Sequence, residues 1–454
     1  MARYMPVLVT CLALLSPIAW AAQAAQGAAD QPEGPQQITL TLDKALEIAR
    51  AQNLTILAAL EDVKRTRGIL REGYASAYPH FTLDGSYTRT DKSAISSLET
   101  PEGTITLGTD ETYTYALGLE QRLYAGGLVF GGIRAARSEK ARVIELVATT
   151  IQDVELQVRR DFYELLLAQD LVAVREEAVK LFEENLRNVE AKFAAGEVAK
   201  FEVTRAKVEL ANLQPPLIAS RNRVRLAQEA LKKTLNVPFN TELTIEGKLD
   251  YAPTHFSLDS LVDTALQFRH EIKAAELVTA LRKINITVEA SDGRPDLRAF
   301  ANYEGRTNTF GTSATDLVEG WNAGLRVSIP IFKGWGVAGR VDQARADYGK
   351  SLIALDDQRK VVELEVRRAW FNLENAAQVV LSQGENVGQA EEAVREAVAQ
   401  LQAGEITQFE LRDTQLSLTQ ARTDLKQAQH DYNVALFTLE RAVGVRLTAP
   451  GRGE

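Results

Sequence analysis

From Ile133 to Ala195 the chain runs 63 residues without a glycine or a proline. Those two residues are the usual helix breakers, so the stretch reads as one helix roughly 95 Å long at about 1.5 Å per residue. A compact core does not contain an element of that length, and the chain must build something elongated. The apolar residues Val143, Val147, Ile151, Val154, Val158, Phe162 and Leu165 advance 22 residues in six steps. A repeat of about 3.67 residues suits extended helix-on-helix packing with little left-handed supercoil. A tight turn at Gly196 then leads into a second helix from about Ala199 to Leu235, giving an antiparallel hairpin, because glycine readily takes the left-handed conformation that ends helices.

The same pattern occurs twice. Leu123-Tyr124-Ala125-Gly126-Gly127 returns as Ile331-Phe332-Lys333-Gly334-Trp335, an offset of 208 residues from Gly126 to Gly334. That offset also carries Arg159-Arg160-Asp161-Phe162-Tyr163 onto Arg367-Arg368-Ala369-Trp370-Phe371, and Ala195-Gly196-Glu197 onto Ala403-Gly404-Glu405. Upstream, Thr41-Leu42-Asp43 matches Ser257-Leu258-Asp259, and Pro79 matches Pro295, at an offset of 216. The first copy therefore carries eight extra residues between Pro79 and Tyr124, which the Ser/Gly/Thr-rich stretch from Lys92 to Glu111 accommodates as a loop tip. A pattern this long and ordered marks a tandem duplication.

Each copy reads as helix, two strands, very long helix, helix. Thr41 and Ser257 are placed to cap helix starts, with Asp43 and Asp259 in the first turn where the helix dipole favours negative charge. From Phe81, the residues Phe81, Leu83, Gly85 and Tyr87 alternate with Thr82, Asp84, Ser86 and Thr88; the segments near Tyr113–Leu119, Leu297–Tyr303 and Trp321–Ile329 alternate similarly, Phe300 being an apolar exception on a polar side. Asp84, Glu120, Arg122, Arg298, Glu304 and Arg326 fall opposite the apolar residues. A soluble sheet with one wet face gives this alternation too, but strands of about ten residues, tilted, also cross a bilayer. Four strands cannot close a barrel, and an open edge in lipid leaves unpaired backbone groups at several kcal/mol each. The chain must oligomerise, to eight strands with two copies or twelve with three.

The first residues carry Arg3, an apolar run from Val7 to Leu15 and a small-residue stretch through Ala25, the pattern of a secretory signal peptide cleaved after Ala22 or Ala25. The only cysteine, Cys11, lies within it, so the mature chain offers no disulfide or thiolate ligand. The formal charge of −9 argues against nucleic acid as a partner. Gly334, Gly336 and Gly339 satisfy a dinucleotide fingerprint literally, but no parallel strand follows at the required spacing, and they read as a strand-to-helix turn. His80, His255, His270 and His430 are scattered without ligand spacing. No cofactor, metal site or catalytic constellation is expected.

Taken in this order, the duplicated Pro-then-alternating strands, the strand exits at Leu123–Gly127 and Ile329–Gly334, and the turns Lys192–Val198 and Gln400–Ile406 resemble the TolC-like outer-membrane efflux protein family over essentially the whole mature chain. The resemblance implies a mixed, mainly α fold: a homotrimer with a twelve-stranded transmembrane β-barrel, four strands per chain, continued by a long periplasmic α-helical barrel. It implies a passive outer-membrane channel of a tripartite efflux or type I secretion system, not an enzyme. Its partners would be a periplasmic adaptor, an inner-membrane efflux pump or ABC exporter, and outer-membrane lipid. The adaptor would dock on the turns Ala195, Gly196, Glu197 and Val198, and Ala403, Gly404, Glu405 and Ile406. Glu410 and Asp413, three apart on one helical face, match acidic residues at the narrow periplasmic mouth, where three copies would gather six carboxylates; the alternative is solvated helix charge. Glu202 matches a constriction residue of the first copy. The tyrosine and arginine that usually partner it fall on Leu401 and Ile406, a departure from the family's polar latch.

The expected layout is a signal peptide at 1–22, an N-terminal linker at 23–40, and a first repeat at 41–237 with a β-hairpin near 81–123 and a helical hairpin near 130–236. A linker at 238–256 leads to the second repeat at 257–445, with hairpins near 297–331 and 337–442, and a tail at 446–454. Pro215-Pro216 should bend or break the helix containing it. A structural or adhesive coiled-coil protein is the rival reading; it has no use for paired, lipid-compatible strands.

Overall fold

The computed structural model describes residues 37–95, 97–101, 103–106, 109–308 and 316–447. The expected signal peptide, most of the N-terminal linker and the end of the tail lie outside the described residues. In chain order the elements are β1 (Gln37–Leu40), α1 (Leu42–Gln52), α2 (Leu54–Ala75), β2 (His80–Arg89), β3 (Ser97–Thr100), β4 (Gly103–Thr106), β5 (Glu111–Ala125), α3 (Leu128–Ala194) and α4 (Lys200–Leu235). The second half continues with β6 (Glu242–Ile245), α5 (Leu258–Phe268), α6 (His270–Ser291), β7 (Asp296–Thr307), β8 (Leu317–Ser328), α7 (Gly336–Ala403) and α8 (Gln408–Val443).

The strands form an antiparallel sheet in the order β2-β5-β7-β8. The helices that enter or leave those strands pack in the same order: α2 beside α3, α3 beside α6, α6 beside α7. Each strand thus continues into a helix, and the sheet continues into a four-helix wall. The shorter α4 and α8 fold back along α3 and α7, and α8 also packs on α3, so the two hairpins stand side by side.

The long helices form because their apolar stripe finds a partner along its length. Val143, Val147, Val154, Val158, Phe162 and Leu165 are all buried. The first core gathers Leu40, Leu46, Val158, Phe162, Leu165, Leu231 and Leu235 at the root of the α3–α4 hairpin; Phe437 of α8 joins it and stitches the repeats together. The second gathers Val262, Ile272, Val366, Leu373, Tyr432 and Leu439 at the root of α7–α8. Thr41 caps α1 through its side chain, whereas Ser257 stands at the N-cap of α5 without a side-chain bond.

Three expectations are corrected. The single helix before each pair of strands is two helices, broken at Asn53 and Arg269, which adopt extended backbone (ψ 127° and 125°). Both linkers contain strands: β1 lies in the 23–40 segment and β6 in 238–256, and the two pair in parallel. Four-residue strands with no turn between them carry no local signal; only contact across some 200 residues makes them visible. Finally, no break occurs at Pro215 and Pro216, through which α4 continues. The loop-tip insertion of the first copy holds a small hairpin, β3 with β4.

Candidate functional site: a two-faced sheet and two hairpin tips

Directly opposed residues of an antiparallel pair share a face, so the register fixes which side each residue occupies. Phe81 faces Leu119, Leu83 faces Leu117 and Tyr87 faces Tyr113. Leu117 faces Tyr303, which faces Trp321, and Leu325 and Val327 complete that side. These side chains are open to the surroundings, Trp321 at 79%, Leu83 at 77% and Phe81 at 71% exposure. A continuous apolar face of this size does not stay in water. Aromatic rings gather at both of its ends: Tyr87 with Tyr113 and Tyr115 with Tyr303 far from the helices, Phe332 with Trp335 at the strand-to-helix junction. The 12 residues of β8 span roughly 40 Å along the strand at about 3.3 Å each.

Thr82, Asp84, Thr114, Glu120, Asn302, Glu304, Asn322 and Arg326 share the opposite face. One acidic residue breaks the pattern expected from sequence: β8 begins at Leu317 rather than near Trp321, which puts Glu319 on the apolar side, opposite Gly305. Its carboxylate accepts hydrogen bonds from the hydroxyls of Tyr115 and, at 2.6 Å, Tyr303. A charge on an apolar face is tolerable only when it is bonded in this way.

At the far end of the molecule, both hairpins turn through one motif. The Gly196 N–H donates to the carbonyl of Phe193 at 3.0 Å and that of Glu197 to Lys192 at 2.9 Å; Gly404 and Glu405 repeat these bonds to Leu401 and Gln400. Gly196 and Gly404 have φ of +80° and +77°, left-handed values that a side chain rarely adopts. Ala195, Gly196, Glu197, Ala403, Gly404 and Glu405 are exposed, while Val198 and Ile406 are half-buried behind them. The two turns lead into helices that start differently. Thr407 accepts from the Glu410 N–H while the Glu410 carboxylate accepts from the Thr407 N–H at 2.7 Å, a complete capping box. In the first copy the N-cap is Ala199, without a side-chain bond, and Glu202 has no hydroxyl to answer.

Glu410 and Asp413 are exposed and Glu202 and Leu401 half-buried. The two hydrogen bonds from Thr407 hold the Glu410 carboxyl below its ordinary range, so it remains charged at neutral pH. One cluster near the tips has no counterpart among the residues singled out from sequence. Arg412 of α8 pairs with Glu209 of α4, which also takes Arg205 at 3.1 Å, and both guanidinium groups lie against the Phe409 ring, that of Arg205 at 4.8 Å and that of Arg412 at 4.4 Å from its centroid. This contact ties the two hairpins together a few turns from their tips. The only trace in the sequence is an aromatic three residues before an arginine, which is common on helices.

Among the described residues no group of three or more histidine or acidic side chains is arranged around a metal position. No described helix is long and apolar enough to cross a membrane.

Against known proteins, a family model described as outer membrane efflux protein matches residues 45–237 and 261–445. The cobalt-zinc-cadmium resistance protein CzcC of Cupriavidus metallidurans is 23% identical over 446 residues, covering 95% of this chain and 97% of that protein. The outer membrane efflux protein BepC of Brucella suis is 23% identical over 344 residues, 75% of this chain and 74% of the relative. Among solved structures, CusC superposes with a TM-score of 0.74 at 18% identity, covering 92% of this chain and 96% of that one. The outer membrane protein VceC of Vibrio cholerae gives 0.73 at 18% identity, covering 89% and 96%.

Proposed function

The chain belongs to the outer membrane efflux protein family, and we infer that three copies close their four-stranded sheets into a twelve-stranded barrel and their helices into one tube, a passive outer-membrane conduit of a tripartite efflux or type I secretion system. The observation that carries this is a contrast between two sets of glycines. In the first repeat, a Cβ on Gly126 would meet the Arg294 side chain at 2.6 Å, and one on Gly131 would meet Val288 at 2.8 Å. The end of α6 packs there so closely that only hydrogen fits. Their counterparts at an offset of 208, Gly334 and Gly339, have nothing within 4 Å in a single chain.

These two glycines stand at the start of α7, on the open edge formed by β8 and α7. A neighbouring chain has a matching free edge, β2 and α2, to lay against them, as α6 lies against α3. Ile331 at 97% and Trp335 at 79% exposure lie beside this edge and gain cover in the same step. Closure also pairs the free backbone groups of β2 and β8, which lipid requires. The apolar face then meets lipid and the polar face lines the lumen.

The tips at Ala195–Val198 and Ala403–Ile406 are the surface offered to a periplasmic adaptor, which connects the tube to an inner-membrane pump or ABC exporter. Glu202, Leu401, Glu410 and Asp413 lie just beyond them at the periplasmic mouth, where three-fold symmetry would gather the carboxylates of Glu410 and Asp413 about one axis and favour cations. The Arg412–Glu209 pair holds the hairpins close at this level.

Light scattering on the detergent-purified mature protein should give three chains per particle, with discrete conductance in planar bilayers. A soluble monomer that needs no detergent defeats the reading. Replacing Glu410 and Asp413 with alanine should weaken cation preference; unchanged selectivity removes the acidic mouth but leaves the conduit.

A further inference from the structure

The polar face of the sheet is uneven. At its helix end the register sets Arg122 opposite Arg298, and Arg298 opposite Arg326, so three guanidinium groups stand in a row across β5, β7 and β8. Opposed residues have Cβ atoms about 5 Å apart, and like charges there repel. Two of the three are compensated. Asp296 takes the Nε of Arg298 at 2.6 Å and that of Arg122 at 3.4 Å, and Glu120 takes Arg298 at 2.8 Å.

Arg326 meets no carboxylate among the described residues. Its guanidinium lies over the Phe300 ring, 5.0 Å from the centroid, which gives the one aromatic residue on the polar side a role. A cation held on a ring face keeps its N–H donors free in the plane of the guanidinium.

The row forms one wall of a cleft of about 680 Å3, closed on the other side by the end of α6 and the start of α7. There Lys333 is taken by Asp292 at 2.7 Å, Arg340 by Asp292 and Glu289, and Arg294 by the Gly126 carbonyl at 2.8 Å. Six basic side chains face three acidic ones around the cleft, and the guanidinium without an acceptor is the one on the outermost strand.

We propose that this cleft is an anion site for oxyanions with two or more acceptor oxygens, phosphate-like groups above all, with Arg326 binding and Arg298 and Arg122 supplying field behind it. The proposal rests on the closed-barrel reading, which makes the polar face the lumen. Three copies then form a cationic collar where the barrel meets the helical tube, at the opposite end of the tube from the acidic residues near the tips.

The test is single-channel conductance of the full-length mature protein in zwitterionic bilayers, with inorganic pyrophosphate as the probe. Pyrophosphate should reduce conductance in the wild type, and Arg326→Gln should raise the concentration for half-block at least tenfold. Arg326→Gln breaks no ion pair within one chain, and light scattering should show it assembled as the wild type is; Arg326→Lys keeps the charge and should retain most of the block. Equal block in wild type and Arg326→Gln, or none in either, overturns the collar while the conduit stands. Block that vanishes when phosphatidylglycerol is added to the bilayer would assign the site to lipid headgroups outside the lumen, and overturns it as well. A chain that opens no channel in any condition defeats the conduit and the collar together.

Discussion

The two repeats close the same joint with different chemistry. Asn53 and Arg269 stand at equivalent breaks between the short helices, and each donates to a carbonyl near the end of the last helix of its repeat. Asn53 gives its amide to Thr234 at 2.7 Å; Arg269 gives its guanidinium to Ala442 at 2.8 Å and Arg441 at 3.1 Å. Positions 234 and 442 correspond at the offset of 208. Asn53 completes its bonding with neutral partners, its oxygen accepting from the Thr55 and Ile56 N–H groups. Arg269 is 1% exposed and brings a charge with it, so it requires Glu271 at 2.9 Å and Glu365 at 2.7 Å, carboxylates that Arg441 shares. A duplicated fold keeps the contact to the backbone and leaves the side chain that makes it free to change, provided its polarity is satisfied.

The contrast is sharpest if each joint is cut. Arg269→Ala removes one partner from a buried ionic network and should cost about 3–5 kcal/mol, read as a fall in melting temperature of the detergent-solubilised protein by circular dichroism. Asn53→Ala loses a helix cap and one carbonyl bond and should cost about 1–2 kcal/mol. Equal losses for the two would mean the buried charge adds nothing, and would break the comparison.

The tips offer a second pair. Thr407→Ala should cost about 1 kcal/mol of local helix stability, detectable as faster amide exchange in the first turn of α8. Ala199→Thr should slow exchange in the first turn of α4 by a smaller margin, since Glu202 is already placed to complete the box.

The smallest effect is one of pH. The folded Glu410 carboxyl titrates below its ordinary value of 4.5, so its contribution is complete above that value and is lost as pH falls through the lowered one. Protection of the amides at the start of α8, taken relative to their intrinsic exchange at each pH, should fall on acidification in the wild type and stay nearly flat in Thr407→Ala; parallel protection profiles would remove Glu410 from the cap.

Much of the fold was legible from Ile133–Ala195, the glycines at 196 and 404 and the alternation from Phe81 onward, because helix length, turn conformation and strand facing are local properties of a few neighbouring residues. The tip residues were legible for the same reason. The break at Asn53 was not, since an apolar helical pattern continues across it, and an asparagine that caps the following helix is held in that role by a carbonyl, that of Thr234, far away along the chain. Nor was Glu319, whose place on the apolar side depends on where β8 begins.

By itself the sequence determined that this protein is a duplicated, elongated hairpin structure with a two-faced sheet. Tertiary structure alone decided the parallel pairing of β1 with β6, the burial of Arg269, the joining of the hairpins through Arg412 and Glu209, and the alignment of Arg122, Arg298 and Arg326. Each of these joins residues far apart along the chain, and which distant groups meet is set by register and by the packing of whole elements, quantities that no local period records.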